Sequence, residues 1–218
     1  MDIPELLPVE KSNNTLINDV KTNLIKMLVN RNLIEHDNKN KYINDLINID
    51  NDDNDMEFLI NIDNDQNYNT EIPNKKIYVK FFDYKIMSVS KNSQIANFIT
   101  KYYNDYKIII VENINPKTET VISKYNTQTE IFKFSFLKNN IVDHSLVPRH
   151  IVLPEIIAKK VKDAYGARNK NIPLILSGDP IAKYYNMKQN DICKIVRFSK
   201  VSGRAFTYRI CVKSAEKK

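Results

Sequence analysis

The chain has 218 residues, of which 42% are hydrophobic and 27% charged, a composition typical of globular domains. It has no apolar run of the roughly 18 residues that a membrane helix needs, and its first residues lack the basic and apolar regions of a secretory signal. The two cysteines, Cys193 and Cys211, are not spaced as a C-x-x-C pair. This spacing argues against a zinc site or a disulfide framework and fits a reducing compartment.

The net charge of +7 is unevenly distributed along the chain. Residues 1–75 carry 7 Lys or Arg against 15 Asp or Glu, whereas residues 76–218 carry 26 against 11. A basic body predicts a polyanionic partner, and nucleic acid is the commonest one. The alternative is that the surface lysines only keep the protein soluble.

The N-terminal part predicts one helix followed by a polar insertion. Apolar residues recur at helical spacing from Thr15 to Asn32, where asparagine tolerates a left-handed cap. The string Leu-Ile-Asn-Ile-Asp-Asn-Asp starts at Leu46 and again at Leu59, so we interpret residues 46–67 as a mobile insertion whose removal leaves the fold intact. Its Asp and Asn spacing resembles an EF-hand loop, but the required Gly and Glu are missing, which favours a solvated loop over calcium.

The middle of the chain predicts a sheet with helices. Strands are predicted at residues 76–82, 106–111, 121–123 and 129–136, and a helix capped by Ser93 at residues 92–103. The order strand, helix, buried strand indicates a mixed α/β sheet. A proline turn at Asn113–Thr118 follows the buried strand, where loops often carry contacts.

The last third predicts a small module of helices and a β-hairpin. A helix is predicted from Pro154 to Tyr165, and a short helix after Asp179 and Pro180. Strands at residues 191–199 and 205–213 form the hairpin. The apolar face of the first helix is predicted to hold Leu153, Ile157, Val161, Ala164 and Tyr165.

A polar stretch from Lys138 to Asp143 separates the two patterns. We therefore predict an α+β protein in two domains. A mixed α/β domain occupies residues 1–140, and a small α+β domain of helices plus a hairpin occupies residues 144–218.

Four ordered motifs in the last third carry a resemblance to a known family. They are His144-Ser-Leu-Val-Pro-Arg-His150, Asp179-Pro-Ile-Ala182, Asp191–Ser199 and Ser202–Arg209. In order and spacing they resemble the fifth subunit of eukaryotic-type DNA-directed RNA polymerases, which has a small counterpart in the archaeal enzyme. The helix containing Arg31 and the strand at residues 108–111 resemble the same family more loosely. Asn186 and Asn190 stand where the family usually has Gly, and Asn tolerates the positive φ that such turns need.

The resemblance implies a non-catalytic structural subunit without catalytic residues, cofactor or metal. Its C-terminal assembly domain would dock on the largest polymerase subunit beside other small subunits, and its N-terminal jaw would lie near downstream DNA. Pro116 and Lys117 are then expected near DNA, where they would contact its phosphate backbone without reading its sequence. The residues expected at the subunit interface are His144, Leu146, Val147, Pro148, His150, Asp179, Pro180, Arg197, Ser199, Ser202, Gly203, Arg204, Tyr208 and Arg209.

Alternative functions stay open at this point. His144 and His150 are spaced like metal ligands, but a third ligand is not evident. A restriction-type nuclease would use Asp83 and Glu112, but it needs a Lys where Ile114 stands. A free-standing basic nucleic-acid-binding protein is the third possibility.

The expected location follows from the same resemblance. Heavy use of Asn, Ile and Lys with a full jaw indicates a diverged copy from a large DNA virus or an AT-rich protist. We expect an intracellular protein, in a virion or cytoplasmic viral factory if viral and in a nucleus if cellular, with no membrane association.

Overall fold

The computed structural model describes residues 13–48, 57–62, 75–90, 93–125, 128–166, 171–199 and 203–213. The chain forms two compact units: the first comprises Met1–Lys26, Asp37–Ile60 and Lys76–Asn139, and the second comprises Met27–His36, Asn61–Lys75 and Asn140–Lys218. The second unit thus includes segments that precede the predicted boundary at residues 140–144. Within the described ranges, no helix is long and apolar enough to cross a membrane.

The first unit is built on a four-stranded sheet in the order β1-β2-β3-β4, in which β2, β3 and β4 are parallel. The strands are β1 (Glu57–Asn61), β2 (Lys76–Ile86), β3 (Tyr106–Ile114) and β4 (Thr129–Lys133). The helices are α1 (Asn13–Asn30), which ends in the second unit, α2 (Lys39–Ile47), α3 (Gln94–Lys101), α4 (Pro116–Tyr125) and α5 (Phe134–Leu137). Helices and mixed sheets confirm the predicted α+β class.

Two helices cover one face of this sheet. Ile109 and Val111 of β3 form a buried cluster with Phe98 of α3 and Ile122 of α4. Both crossover helices therefore lie on the same side, as expected when parallel neighbours follow in sequence order with connections of one hand. The predicted cap is confirmed, because the Ser93 hydroxyl accepts a hydrogen bond from the backbone N–H of Ala96 at 3.2 Å.

The predicted strand at residues 121–123 is wrong, because this segment belongs to α4. The Asn115 side chain accepts from the N–H of Lys117 at 3.1 Å, and Pro116 occupies the first helical position. Thr118 and Ile122, four residues apart, are both buried. Start signals and helical spacing thus outweigh the strand preference of Val121 and Ile122.

The predicted strand at residues 129–136 is correct only to Lys133. The chain then turns into α5, and the centre of the Phe136 ring lies 5.4 Å from that of Phe132 on β4. The aromatic residues of this alternating sequence are therefore divided between the strand and the helix.

The expectation of an unpacked insertion at residues 46–67 is also wrong for the residues that the structure describes. Leu46 of α2 and Ile60 of β1 are fully buried. Glu57 of β1 accepts hydrogen bonds from the Tyr102 hydroxyl and, at 3.2 Å, from the Lys101 ammonium group. The repeated Asp and Asn residues of the calcium-like pattern lie outside the described residues.

The second unit has its own four-stranded sheet, in the order β5-β7-β8-β6. Its elements are a short 3-10 helix (Ile141–Asp143), β5 (Arg149–Val152), α6 (Glu155–Ala164), β6 (Leu174–Leu176), α7 (Pro180–Tyr184), β7 (Ile192–Ser199) and β8 (Gly203–Val212). Strand β7 is antiparallel to both β5 and β8, which confirms the predicted hairpin, and β6 is parallel to β8. Asn186 and Asn190 have φ of 49° and 75°, as predicted.

Each face of this sheet has its own buried cluster. Ala182 of α7 packs with Cys193, Ile195 and Cys211. Residues alternate between the two faces along a strand, so the next residues, Ile192 and Ile210, face the opposite side, towards α6.

The predicted buried face of α6 is partly wrong. Leu153 and Ala158 are buried in the cluster and Val161 packs against it, whereas Ile157 is 47% exposed and Ala164 is exposed. The small Ala158 side chain suits close packing of the helix on the sheet, and this orientation turns the larger Ile157 outward.

Candidate subunit interface

The first of the four motifs forms a tight turn that leads into β5. The N–H of Val147 donates to the carbonyl of His144 at 2.9 Å, and the His144 ring Nδ1 accepts from the N–H of Leu146 at 3.2 Å. The turn leaves the Leu146 side chain 84% exposed. Leu146 therefore contributes nothing to the core of this unit.

His150 lies on β5 directly beside Ile195 of β7 and is half-buried. Its ring Nδ1 lies 2.7 Å from the carbonyl of Pro148, which can only accept, so Nδ1 carries the proton and Nε2 of the neutral ring is an acceptor. Burial lowers the pKa of His150 from its usual 6.5; Asp179 raises it, and Arg209 and Arg197 lower it further. Since the pKa falls, the ring is neutral near pH 7.

Arg197 and Arg209 belong to the same face of the sheet as His150. Every second residue of β7 points to the same side of the sheet, so Cys193, Ile195 and Arg197 share one side. Arg209 is paired with Cys193 and therefore lies on that side as well. Arg197 is exposed and Arg209 is half-buried. The structure thus brings three of the predicted interface residues, from three motifs, onto one surface, which we call the His–Arg face (His150, Arg197 and Arg209).

Asp179 starts the short helix α7 beside this face. Its carboxylate accepts from the N–H of Ile181 at 2.8 Å, and Pro180 takes the first helical position, so the predicted cap is confirmed. The position of Asp179 is therefore set by helix capping, whatever else it contacts.

A residue that the spacing arguments missed holds the other end of α7. Arg31 is only 7% exposed, and its guanidinium donates to the carbonyls of Tyr184 at 2.7 Å and Lys183 at 3.0 Å. Asn30 donates to the Tyr184 hydroxyl at 2.9 Å, and burial raises the pKa of Tyr184 to about 12. The sequence pointed to Arg31 only through the looser family resemblance of the helix that precedes it.

Two further hairpin residues, Tyr208 and Arg204, lie on the side of the sheet opposite the His–Arg face. Tyr208 packs against the α6 cluster, with its ring 6.2 Å from that of Tyr165. Arg204 lies over the ring of Phe198, directly opposite it on β7. Gly203 has φ of 69°, a conformation that favours glycine, while Ser202 and the side chain of Ser199 lie outside the described residues.

The two residues expected near DNA lie in the first unit, at the carboxyl end of β3. Pro116 and Lys117 open α4 and are both exposed. Thr118 donates to the carbonyl of Met87 at 2.8 Å, and the N–H of Asn115 donates to the carbonyl of Ile86. These bonds fix the start of α4 to the end of β2 and orient Lys117 towards solvent.

A cluster of metal ligands or a reactive thiol would indicate a chemical role for the described part of the chain. No three of its His, Cys, Asp or Glu residues are grouped as metal ligands. Burial raises the pKa of the Cys193 thiol to about 11, which keeps it protonated and unreactive near neutral pH.

Comparisons with known proteins identify the family. A family model described as RNA polymerase Rpb5, C-terminal domain, matches residues 139–211. DNA-directed RNA polymerase subunit 5 of Acanthamoeba polyphaga mimivirus is 30% identical over 208 residues, which are 95% of this chain and 97% of that protein. The chain belongs to the Rpb5 family of RNA polymerase subunits.

Membership in the Rpb5 family confirms the resemblance seen in the motifs and the expected role as a structural subunit of a DNA-directed RNA polymerase. A second Rpb5 relative, the subunit rpabc1 of DNA-directed RNA polymerases I, II and III from Dictyostelium discoideum, is 31% identical over 145 residues, 64% of this chain and 74% of that protein. Every predicted interface residue falls within the matched residues 139–211, whereas Pro116 and Lys117 precede them.

Proposed function

We propose that this chain is an accessory, non-catalytic polymerase subunit that docks on the largest subunit through the His–Arg face. One observation carries the proposal. His150, Arg197 and Arg209, from three separate motifs, share one surface of the second unit, with Asp179 close enough to influence the His150 ring. The division assumed is the predicted one, a jaw at residues 1–140 and an assembly domain at residues 144–218.

The chemistry of the His–Arg face suits a protein partner. Arginine is enriched in the buried centres of interfaces and pairs with carboxylates through two parallel hydrogen bonds. The neutral His150 ring offers an acceptor at Nε2, so a partner N–H or O–H can bind beside the two guanidinium groups. The surface therefore fits a partner segment with carboxylates and at least one donor. The exposed Leu146 and the ordered turn from His144 to Pro148 extend the proposed interface.

The jaw is proposed to contact the phosphate backbone of downstream DNA. Lys117 is exposed at the first turn of α4, and residues 76–218 carry an excess of basic residues. Phosphate contacts from Lys and helix N-termini position a duplex without reading its sequence. Pro116 and Lys117 would then help to align DNA entering the cleft.

The proposed location follows from the subunit role. The protein acts inside the cell beside the other polymerase subunits, in a viral factory or virion if the source is a large DNA virus. No cofactor, metal or catalytic residue is assigned to it, because the catalysis belongs to the whole complex.

Charge reversal tests the docking surface. Arg197→Glu with Arg209→Glu, co-expressed with the largest subunit, should reduce co-purification by more than about tenfold. In the proposed contact both arginines pair with carboxylates of the partner, and the substituted glutamates would repel those carboxylates. Lys159→Glu with Lys160→Glu is the matched control, since it makes the same charge change at two exposed positions of α6 in the same unit. Normal co-purification of the first pair, or equal loss in both pairs, would show that the His–Arg face is not the docking site.

A further inference from the structure

The side of the second sheet opposite the His–Arg face carries an exposed mixture of aromatic and basic side chains. We call it the hairpin face. It consists of Ile151, Lys194, Val196, Phe198, Arg204 and Phe206. Directly paired residues point to the same side of a sheet, and the pairs Ile151–Lys194, Val196–Phe206 and Phe198–Arg204 define this surface.

Two rings on the hairpin face stand in solvent. Helix α6 covers the end of this side near Ile210, where Tyr165 meets Tyr208. Beyond that end, Phe206 is 53% exposed and Phe198 is 84% exposed. Large aromatic side chains left in solvent on a strand surface indicate a binding surface rather than a core.

Each of the two rings has a cation over it. The Lys194 ammonium lies 4.0 Å from the centre of the Phe206 ring, and the Arg204 guanidinium carbon lies 5.8 Å from that of Phe198. At two neighbouring positions of the hairpin, a cationic side chain therefore lies next to an aromatic ring.

The charge of the surrounding strands has one sign. Strands β5, β7 and β8 contain no Asp or Glu, and three of their five Lys or Arg residues, Arg149, Lys194 and Arg204, lie on the side of the hairpin face. Such a surface is complementary to a polyanion. Exposed rings interleaved with cations are the combination with which proteins hold single-stranded nucleic acid, since bases stack on the rings and phosphates meet the cations.

We propose that the hairpin face binds single-stranded nucleic acid. Bases stack on the exposed surfaces of Phe198 and Phe206 that the cations do not cover, and Lys194 and Arg204 contact the adjoining phosphates. Ile151 and Val196 provide apolar surface between them. Binding of this kind tolerates any sequence, because every base has a flat face. The hairpin face lies on the side of the second sheet opposite the His–Arg face, so the proposal does not depend on docking through the His–Arg face.

Fluorescence anisotropy tests the site with the full chain and labelled oligonucleotides of about 12 nucleotides, a length within the range that such sites cover. Phe198→Ala with Phe206→Ala should weaken RNA binding by at least about tenfold, since each stacked base contributes substantially. Lys194→Gln with Arg204→Gln should lower the slope of log affinity against log salt by about 1.4 for a single strand. Comparing poly-U with poly-dT distinguishes a site specific for RNA from one that also accepts single-stranded DNA.

Ile156→Ala with Ile157→Ala is the matched control, because these side chains are also exposed apolar residues of the same unit, on helix α6, at 75% and 47%. This pair should leave RNA affinity unchanged, and circular dichroism should show all variants folded. The proposal fails if the Phe198 and Phe206 variant binds RNA as tightly as the unaltered chain. It also fails if a labelled peptide of alternating Glu and Leu binds the hairpin face more tightly than RNA, which would identify an acidic protein segment as the occupant.

Discussion

At the scale of single residues, the second unit depends on polar side chains that end helices. Arg31 satisfies two carbonyls at the end of α7, and Asp179 satisfies an N–H at its start. A helix of five residues is far too short to be stable alone. The bonds to Arg31 and Asp179 therefore hold α7, and with it Ala182, against the sheet that carries the His–Arg face.

Arg31→Ala should lower the free energy of unfolding of the second unit by about 2–3 kcal/mol, because two buried carbonyls lose a charged donor. Urea denaturation followed by circular dichroism measures the change. Arg149→Ala, at an exposed position on β5, is the control and should stay within about 0.5 kcal/mol of the unaltered chain. Equal stability of the two variants would show that Arg31 is not needed to hold α7.

A second buried cation, Lys107, shows that a residue type usually found at the surface can be stabilised in the core. Lys107 of β3 is fully buried, and its ammonium group donates to the carbonyls of Tyr102 and, at 2.6 Å, Asp105. Burial lowers the pKa of Lys107 to about 8, so the group still carries its proton near pH 7. It caps the end of α3 from within a strand that is otherwise apolar.

At the scale of elements, the acidic insertion contributes a strand to the first unit. Strand β1 is the edge of the sheet beside β2, with Ile60 buried and Glu57 bonded to the end of α3. An edge strand fixed on one face by an apolar side chain and at one end by a carboxylate is part of the fold. The insertion thus covers an edge that would otherwise be open.

Ile60→Ala should lower the free energy of unfolding of the first unit by about 2–4 kcal/mol, because it leaves a cavity under β1. Leu59→Ala removes a similar side chain from the neighbouring position, which is 40% exposed, and should cost less than about 1 kcal/mol. Thermal denaturation of the two variants separates these outcomes. If Ile60→Ala is as mild as Leu59→Ala, β1 does not support the sheet.

At the scale of the whole molecule, the charged surfaces are proposed to bind different partners. The His–Arg face is proposed for the largest subunit, the hairpin face for a single strand, and the start of α4 for a duplex. These proposals share one physical basis, since residues 76–218 carry 26 basic against 11 acidic residues. They differ in what accompanies the charge: a neutral histidine, exposed rings, or a helix N-terminus.

Lys117→Glu in the assembled polymerase should weaken binding of downstream duplex DNA and reduce the slope of log affinity against log salt by about one, because one phosphate contact is lost. Filter binding across a salt series measures the slope. Lys159→Glu, at an exposed position on α6, is the control with the same charge change. A slope that Lys117→Glu and Lys159→Glu reduce equally would reflect net charge alone and would remove Lys117 from the proposed DNA contact.

The sequence by itself determined the parts of this protein whose signals are local. The Ser93 and Asp179 caps depend on neighbouring backbone atoms, so the local sequence predicted them. The positive φ of Asn186 and Asn190 was expected because the family usually has Gly at these positions. The motif order from His144 to Arg209 likewise identified the family.

Only the tertiary structure decided where those elements pack. It buried Ile60 of the acidic insertion and turned Ile157 outward. It also brought His150 of β5 beside the hairpin, on the same side of the sheet as Arg197 and Arg209. The physical reason is that burial and pairing depend on partners distant in sequence, and local propensities are weaker than the free energy of burying an apolar side chain.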